Sequence, residues 1–373
     1  MKNTNSIAIV FNGLYVGGAE KFGISLANKF VENGFNTTIF LFKDINSPLF
    51  DQIEKRINIV YILRRSKYDY MLHRQFDLEI KQRNINKVVI LGLLPLLLSR
   101  FMSFKRNKNI SYFISLHSSI PPSFKIYMQN MLCLLYTRKT DKVLFVCHNQ
   151  KKIWSAKYLF NPQQYDVIYN GVDIEYFKPG AGPEVANQKE TMLIPPADKV
   201  ILLVATIRQE KGHAYAIESL NILHTKYADK QNTHLIFLGD GDENYISELK
   251  KIVNHYSLNS FVHFEGNQKD VRKYLEIADV FTLTSSSETF SIAALEAMCY
   301  GIPISLTNIG GASEMVFEGK NGLLSIAQNA NSIALTWANL LDASFNKIAI
   351  RKIAVENFSL DLMFAKYLRT IIE

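Results

Sequence analysis

The feature that most limits what this chain can fold into is a repeated alternation. Short apolar runs recur along it, each followed by a longer stretch with helical spacing. The first is SIAIVF, Ser6 to Phe11. A glycine-bearing turn follows, then a helix expected over about Gly18 to Asn33, then TTIFLF. KVVILG, SYFISLH, KVLFVC and DVIYNG continue the series. A polar segment containing Pro and Gly, Phe177 to Lys199, interrupts it and reads as a linker. The alternation resumes with VILLVAT, HLIFLGDGD, FVHFEG, VFTLTS and PISLTN, again with helical stretches between. Strands alternating with helices build parallel sheets through right-handed crossovers. The expectation is an α/β chain of two Rossmann-like domains facing across a central cleft. Ligands of such sheets bind beyond the carboxyl ends of the strands, so the loops there are the candidates for chemistry.

The length of 373 residues suits two domains, and 48% hydrophobic residues supply a large core. Three cysteines, Cys133, Cys147 and Cys299, have no metal-ligand spacing and are too few for a disulfide framework. A reducing cytoplasm is the expected compartment. The N-terminal apolar run is short and reads as a first strand, so no signal peptide is expected. The most apolar run, Val88 to Phe101, falls short of the roughly 20 residues a membrane span needs. Charge is unevenly spread. Residues 1–180 hold 25 Lys and Arg against 12 Asp and Glu, a net of +13, whereas the remainder holds 17 against 22, a net of −5. Ile80 to Thr140 has no acidic residue and ten basic ones. Such asymmetry points to an acidic partner for the first half, or to a basic surface that serves solubility.

The segment SSSETFSIAALEAMCYGIPIS, Ser285 to Ser305, carries two carboxylates, Glu288 and Glu296, in an otherwise small and apolar setting. Carboxylates are rarely buried without a reason. VFTLTS before it reads as a strand, so Glu288 falls in the loop at a carboxyl end, and the next helix is expected to begin near Phe290. At about 1.5 Å rise per residue the two carboxylates lie about 12 Å apart along the axis. Glycosidase pairs need roughly 5–9.5 Å, so this spacing suits opposite ends of one elongated ligand better. Between them lies a helix start, where backbone N–H groups favour phosphate.

ETFSIAALE resembles the E-x7-E motif of the family 4 retaining glycosyltransferases, which have the GT-B fold. The resemblance covers nearly the whole chain in the expected order: GLYVGGAEKF, SLH, VIYNGVDIEYFKP, QEKGH, FLGDGDE, HFEGNQKDVRKYLEIADVFTLTS and GGASEMVFEGKNGLL. It implies residues 1–180 as an acceptor-binding domain, 181–358 as a nucleotide-sugar-binding domain, and 359–373 as a last helix that packs back on the first.

The resemblance also implies roles. Glu288 would contact donor-sugar hydroxyls and help stabilise the transition state; a helix-capping carboxylate is the alternative. Glu296 would bind the ribose. Phe290 and Ser291 would present backbone N–H groups to the diphosphate, with Thr289 in place of a more usual glycine. Lys211 would neutralise the diphosphate. Many family members have an arginine where this chain has Thr206, and Arg208 stands two residues later as its candidate replacement. Gly17 and Gly18 would let backbone approach the donor phosphate and the acceptor. His117 would sit beside the reacting sugar, or be a satisfied core histidine. Gly239, with Gly241, would shape a turn near the base. Glu314 would touch the donor or cap the next helix. Cys147 and His148 read as structural.

The implied enzyme is a metal-independent, retaining hexosyltransferase-type glycosyltransferase with no cofactor beyond its co-substrate. It would move a sugar from a nucleotide-diphosphate donor, expected to be UDP-linked, to a hydroxyl of a saccharide acceptor. A lipid-linked acceptor in bacterial surface-polysaccharide or glycoconjugate assembly is the expected one. Two alternatives are a non-hydrolysing sugar-nucleotide epimerase and a non-catalytic partner subunit. The basic stretch from Ile80 to Thr140 also holds Phe101, Phe104, Phe113, Phe124, Tyr127, Met128, Met131 and Leu132. Basic and exposed apolar groups together suit the anionic inner face of a membrane. A cytoplasmic protein, peripheral on that face through residues 80–140 and not a nucleic-acid binder, is the expectation. The segment PPSFKIYMQNMLCLLYTRK could form a helix with Phe124, Met128, Met131, Leu132 and Leu135 on one stripe, and the other reading is that this stripe packs on the first domain's sheet.

Overall fold

A computed structural model describes residues 6–66, 69, 71–96, 98, 110–117, 127–128, 130–131, 141–158, 165–180 and 188–372. The chain divides into two compact units. Unit 1 comprises residues 1–170 with 363–373, and unit 2 comprises 171–362.

Unit 1 is a parallel sheet of seven strands: β1 (Ser6–Phe11), β2 (Asn36–Leu41), β3 (Asn58–Tyr61), β4 (Lys87–Leu91), β5 (Ser111–Leu116), β6 (Lys142–Phe145) and β7 (Tyr165–Val167). Their order is β3-β2-β1-β4-β5-β6-β7. Strand order reverses between β1 and β4. SIAIVF is buried along its whole length, as expected of a central parallel strand covered on both faces. Helix α1 (Gly18–Glu32) follows β1 and buries Phe22, Leu26, Ala27 and Phe30. Its approach is close at Gly23, where a Cβ would lie 2.5 Å from the Phe11 ring and 2.4 Å from Leu91 Cδ1. Helix α2 (Leu72–Gln82) covers the other face, with Phe76 edge-on to Phe40 and Phe42. Helix α3 (His148–Lys157) follows β6 and is capped by Cys147, whose Sγ accepts from the Gln150 N–H at 3.3 Å.

Unit 2 is a six-stranded parallel sheet: β8 (Lys199–Val204), β9 (Thr233–Leu238), β10 (Val262–Phe264), β11 (Val280–Leu283), β12 (Ile304–Thr307) and β13 (Gly322–Ser325). Its order is β10-β9-β8-β11-β12-β13, reversing between β8 and β11. The helices around it are α4 (His213–Lys226), α5 (Glu243–His255), α6 (Ile292–Cys299), α7 (Ala330–Asp342) and α8 (Lys347–Phe358). The fold class is therefore as expected, two parallel-sheet α/β Rossmann-like units. Two strands escaped the sequence reading, β3 and β13, each of four residues and each at a sheet edge.

The unit boundaries lie at 170/171 and 362/363, where the sequence suggested 180/181 and 358/359. Backbone pairing explains the first. Val172 donates to Phe358 O and accepts from the Leu360 N–H. Arg351 then donates to the carbonyls of Ile174 and Phe177 at 2.7 and 2.9 Å. Both contacts hold 171–177 to unit 2. The closing helix α9 (Leu360–Ile372) delivers Phe364 edge-on to Phe30 and Tyr367 to within 5.6 Å of Phe22, inside unit 1.

Most of the stretch proposed for a membrane surface lies outside the described residues, including Phe101, Phe104, Phe124, Leu132 and all of its basic residues from Arg100 to Lys139. Three of its members do not fit an exposed apolar face. Phe113 is buried in β5, because it belongs to an interior strand. Tyr127 and Met131 pack against the unit 1 core, and Tyr127 stacks on Tyr158 at 4.9 Å. Among the described residues no helix is long and apolar enough to cross a membrane.

Candidate functional site

In open parallel sheets the crevice beyond the strand ends at the reversal of strand order is where ligands bind. In unit 2 that point lies between β8 and β11. The loop after β8 carries Arg208, Lys211 and Gly212, and the loop after β11 runs from Thr284 to Ser291. Sequence reading placed Glu288 in the second of these loops, and the resemblance implied a diphosphate role for Lys211. Their side chains meet there, with Lys211 Nζ 2.6 Å from Glu288 Oε2. Glu288 Oε1 accepts from the Thr289 N–H at 3.0 Å, which fixes the carboxylate from its other side.

Several contacts that sequence reading missed hold this pair in place. Gly212 has φ +71°, and a Cβ there would lie 2.1 Å from Thr284 O. Thr284 Oγ1 donates to Gly212 O at 2.9 Å, and the Ser286 N–H donates to Glu210 O at 2.8 Å. The turn bearing Lys211 is thus fastened to the loop bearing Glu288. Gly310, at φ +54°, would place a Cβ 2.1 Å from Glu288 O, and the Gly311 N–H donates to Thr289 O at 2.7 Å. The loop after β12 therefore braces Glu288 from the far side, and Glu314 follows in the short helical turn Ala312–Met315. The local signal for these contacts was Gly212 in QEKGH and the pair Gly310 and Gly311 in IGGASE, whose partners lie far off in sequence.

Helix α6 begins at Ile292, two residues later than expected, because Ser291 is its cap: Ser291 Oγ accepts from the Ala294 N–H at 3.2 Å. Phe290 is buried, its ring 5.7 Å from Phe358. Thr289, Phe290 and Ser291 therefore stand immediately before a helix N-terminus. Glu296 is buried on α6, at 4% exposure. Its charge reaches the Cys299 thiol, which burial in the first place pushes up to about 12. A cavity of about 10 Å³, room for about one water, lies among Ser285, Glu288, Thr289, Ser291 and Thr307.

Gly239 and Gly241 act on the same loop through backbone contact. A Cβ on Gly239 would lie 2.0 Å from Ala205 O, and one on Gly241 would lie 2.0 Å from Ile207 O. The Ile207 N–H donates to Asp240 O at 2.9 Å. These glycines shape the chain leading to Lys211. Arg208 is not brought to the pair: its side chain is 61% exposed and lies 3.4 Å from Glu210.

In unit 1 the reversal lies between β1 and β4. Gly17 and Gly18 end the loop after β1. Gly17 is the residue before α1, and a Cβ there would lie 2.7 Å from Glu20 Oε2. Burial raises the Glu20 carboxyl above the ordinary range. His117 follows β5, its ring 4.4 Å from Phe22. Burial pushes its imidazole down to about 3, so it is neutral at pH 7. Its Nε2 lies 2.9 Å from Ser115 Oγ.

Comparison with known proteins bears on each unit. The model of "Glycosyltransferase Family 4" matches residues 16–176, and that of "Glycosyl transferases group 1" matches residues 184–353. An uncharacterized glycosyltransferase of Haemophilus influenzae is 26% identical over 84% of this chain and 83% of its own. A D-inositol 3-phosphate glycosyltransferase of Corynebacterium urealyticum is 29% identical over 51% of this chain and 46% of its own, so the chain spans about half the length of that relative. Among solved structures, Anabaena HepE in complex with UDP and glucose superposes with a TM-score of 0.83 over 98% of this chain and 99% of its own, at 18% identity. With one glycosyltransferase model on each unit and the GT-B fold of the solved structures, the chain belongs to the GT-B glycosyltransferases of the family 4 type.

Proposed function

We propose that the enzyme transfers a sugar, with retention of anomeric configuration, from a UDP-linked donor to a hydroxyl of a saccharide acceptor. The observation that carries this reading is the Lys211–Glu288 pair at 2.6 Å, set where strand order reverses and just before the start of α6. A donor diphosphate laid against the α6 N-terminus would draw the Lys211 ammonium toward its oxygens and release Glu288 to sugar hydroxyls. Glu296 would take the ribose further along α6.

As the bond from C1 to the diphosphate oxygen breaks, its electron pair goes to the phosphate. Positive charge aimed at that oxygen favours the transition state over the ground state. The acceptor oxygen bonds to C1 on the same face, and its proton passes to the departing phosphate. Lys211 and the helix start supply charge that a divalent cation supplies in other transferases, so the proposed reaction runs without added metal. By the resemblance, His117 would contact the reacting sugar, and Gly17 and Gly18 would serve the acceptor and the donor phosphate.

Thermal shift with a panel of nucleotide sugars, followed by transfer assays with and without chelator, tests the reading. A bound donor raises stability by about 2.7 kcal/mol at a hundredfold excess over Kd. The reading expects UDP-sugars to shift the melting point and activity to survive EDTA. No shift with any nucleotide sugar would sink it.

The acceptor reading is a lipid-linked saccharide reached from the inner membrane face, in surface-polysaccharide or glycoconjugate assembly. Its support is the charge of the first half, +13 over residues 1–180. Each basic residue near an anionic leaflet gains about 1 kcal/mol. Co-sedimentation with anionic vesicles, lost at high salt and absent with neutral vesicles, is the expected result. Equal weak binding to both would favour a soluble acceptor.

A further inference from the structure

His117 is not alone at the end of β5. Ser115 Oγ lies 2.9 Å from its Nε2, and on its other side the same oxygen lies 2.9 Å from the hydroxyl of Tyr367. Ser115 and Tyr367 are both fully buried, at 0% exposure. Tyr367 comes from α9, 252 residues away in sequence, and its ring packs on Phe22 at 5.6 Å, the same Phe22 that packs on His117.

The direction of the protons follows from the donor inventory. A buried phenol has one proton to place, and leaving it unplaced costs a desolvation penalty. Ser115 Oγ is the acceptor at hand, and burial raises the phenol above its ordinary range, so it stays protonated. With Tyr367 donating, the Ser115 proton is left for His117 Nε2, which accepts. A neutral imidazole that accepts at Nε2 carries its proton at Nδ1.

We infer that Ser115 and Tyr367 are positioning residues that hold His117 as the Nδ1–H tautomer with one ring orientation, so that the ring offers a donor on the side away from Ser115. This rests on the role proposed above for His117 beside the reacting sugar. A donor at that place can hold a sugar hydroxyl or an oxygen gaining charge, and the other tautomer would present a lone pair there. The last helix thereby contributes to the chemistry of the strand end without touching substrate.

Nitrogen-15 NMR of the full chain labelled at histidine reads the tautomer directly, with His117→Gln assigning the signal. The wild type should show His117 protonated at Nδ1. Ser115→Ala should leave a mixture of tautomers, and Tyr367→Phe, which keeps the ring packing, should move the balance in the same direction. Release of UDP from UDP-glucose is the second readout. Both variants should lower kcat about tenfold, the scale of one hydrogen bond, with donor KM within about twofold. Ser115→Thr, which keeps the hydroxyl, should restore the Nδ1 signal. A wild-type His117 protonated at Nε2, or a tautomer balance unmoved by Ser115→Ala and Tyr367→Phe, would overturn the inference. A tautomer that shifts as expected while kcat stays at the wild-type value would uphold the relay and remove His117 from the proposed reaction.

Discussion

The Lys211–Glu288 pair is half-buried, with side-chain exposures of 21% and 26%, so each charge is worth more there than on the open surface. Losing the ammonium should weaken UDP binding and slow transfer together, because the charge of the leaving group grows toward the transition state. Lys211→Ala is expected to lower kcat/KM about a hundredfold, the scale of one lost charge-stabilising donor. Glu288→Gln should mainly lower kcat, and Glu296→Gln should mainly raise donor KM. Steady-state kinetics on the three variants decides this, and wild-type values for all three would remove the site. Arg208→Ala should cost far less than Lys211→Ala, since Arg208 stands 61% exposed beside Glu210. His213, one residue past Gly212 and fully buried, is pushed down to about 4, chiefly by burial, with the Lys211 charge adding a smaller push. Its unfolded value lies near 6.5, so the unfolded chain takes up the proton first as pH falls. Stability from this group is complete above about pH 6.5 and is lost progressively toward pH 4, by about 3 kcal/mol in all. Urea unfolding between pH 7.5 and 4.5 should show the loss, and His213→Leu should lessen it, with the remainder left to His117 and other histidines lowered by burial; an equally steep fall in the variant would count against the assignment.

At the scale of elements, fold and site were legible where signals are local. SIAIVF and VILLVAT read as interior strands because parallel strands covered on both faces are continuous apolar runs. β3 and β13 were missed because edge strands of four residues carry little such signal: three of the four residues of β3 are exposed. The loop bearing Glu288 was legible from the strand before it and the helix after it. Its bracing was not, because Gly212 meets Thr284 across 72 residues and Gly310 meets the carbonyl of Glu288 through another loop. A glycine shows in sequence, but what presses on it does not. Gly212→Ala should therefore behave as a site mutation. Its positive φ and the Thr284 carbonyl at 2.1 Å force the turn off the loop, so kcat/KM should fall about as far as in Lys211→Ala while the melting point of unit 1 stays unchanged. Gly23→Ala tests packing instead. The helix propensity gained, about 1 kcal/mol, is opposed by contacts of 2.4–2.6 Å with Leu91 and Phe11. Overpacking a filled core costs about 1–3 kcal/mol, so a lower melting point is expected with kcat/KM unchanged.

At the scale of the whole molecule, unit 2 is one unbroken stretch, whereas unit 1 is made of two pieces. Residues 171–362 expressed alone should therefore fold cooperatively and bind UDP, measured by thermal shift. Removing 363–373 from the full chain deletes Met363, Phe364, Tyr367 and Ile371, all buried, and should expose unit 1 to limited proteolysis while unit 2 resists. The sequence suggested a linker over Phe177 to Lys199, but composition does not reveal which unit a segment pairs with. Val172 is claimed by Phe358 and Leu360, nearly two hundred residues on.

The discontinuity of unit 1 also sets a schedule for the growing chain. Residues 1–170 leave the ribosome with the surface around Phe22 and Phe30 uncovered, because Phe364 and Tyr367 have not been made. At about 5–20 residues per second, the intervening stretch of unit 2 takes about 10–40 s to translate. Through that interval Phe22 and Phe30 on α1 lack their partners from the last helix. Synonymous codons that slow translation across 171–362 would lengthen the wait, so the pace of synthesis bears on the yield of soluble enzyme.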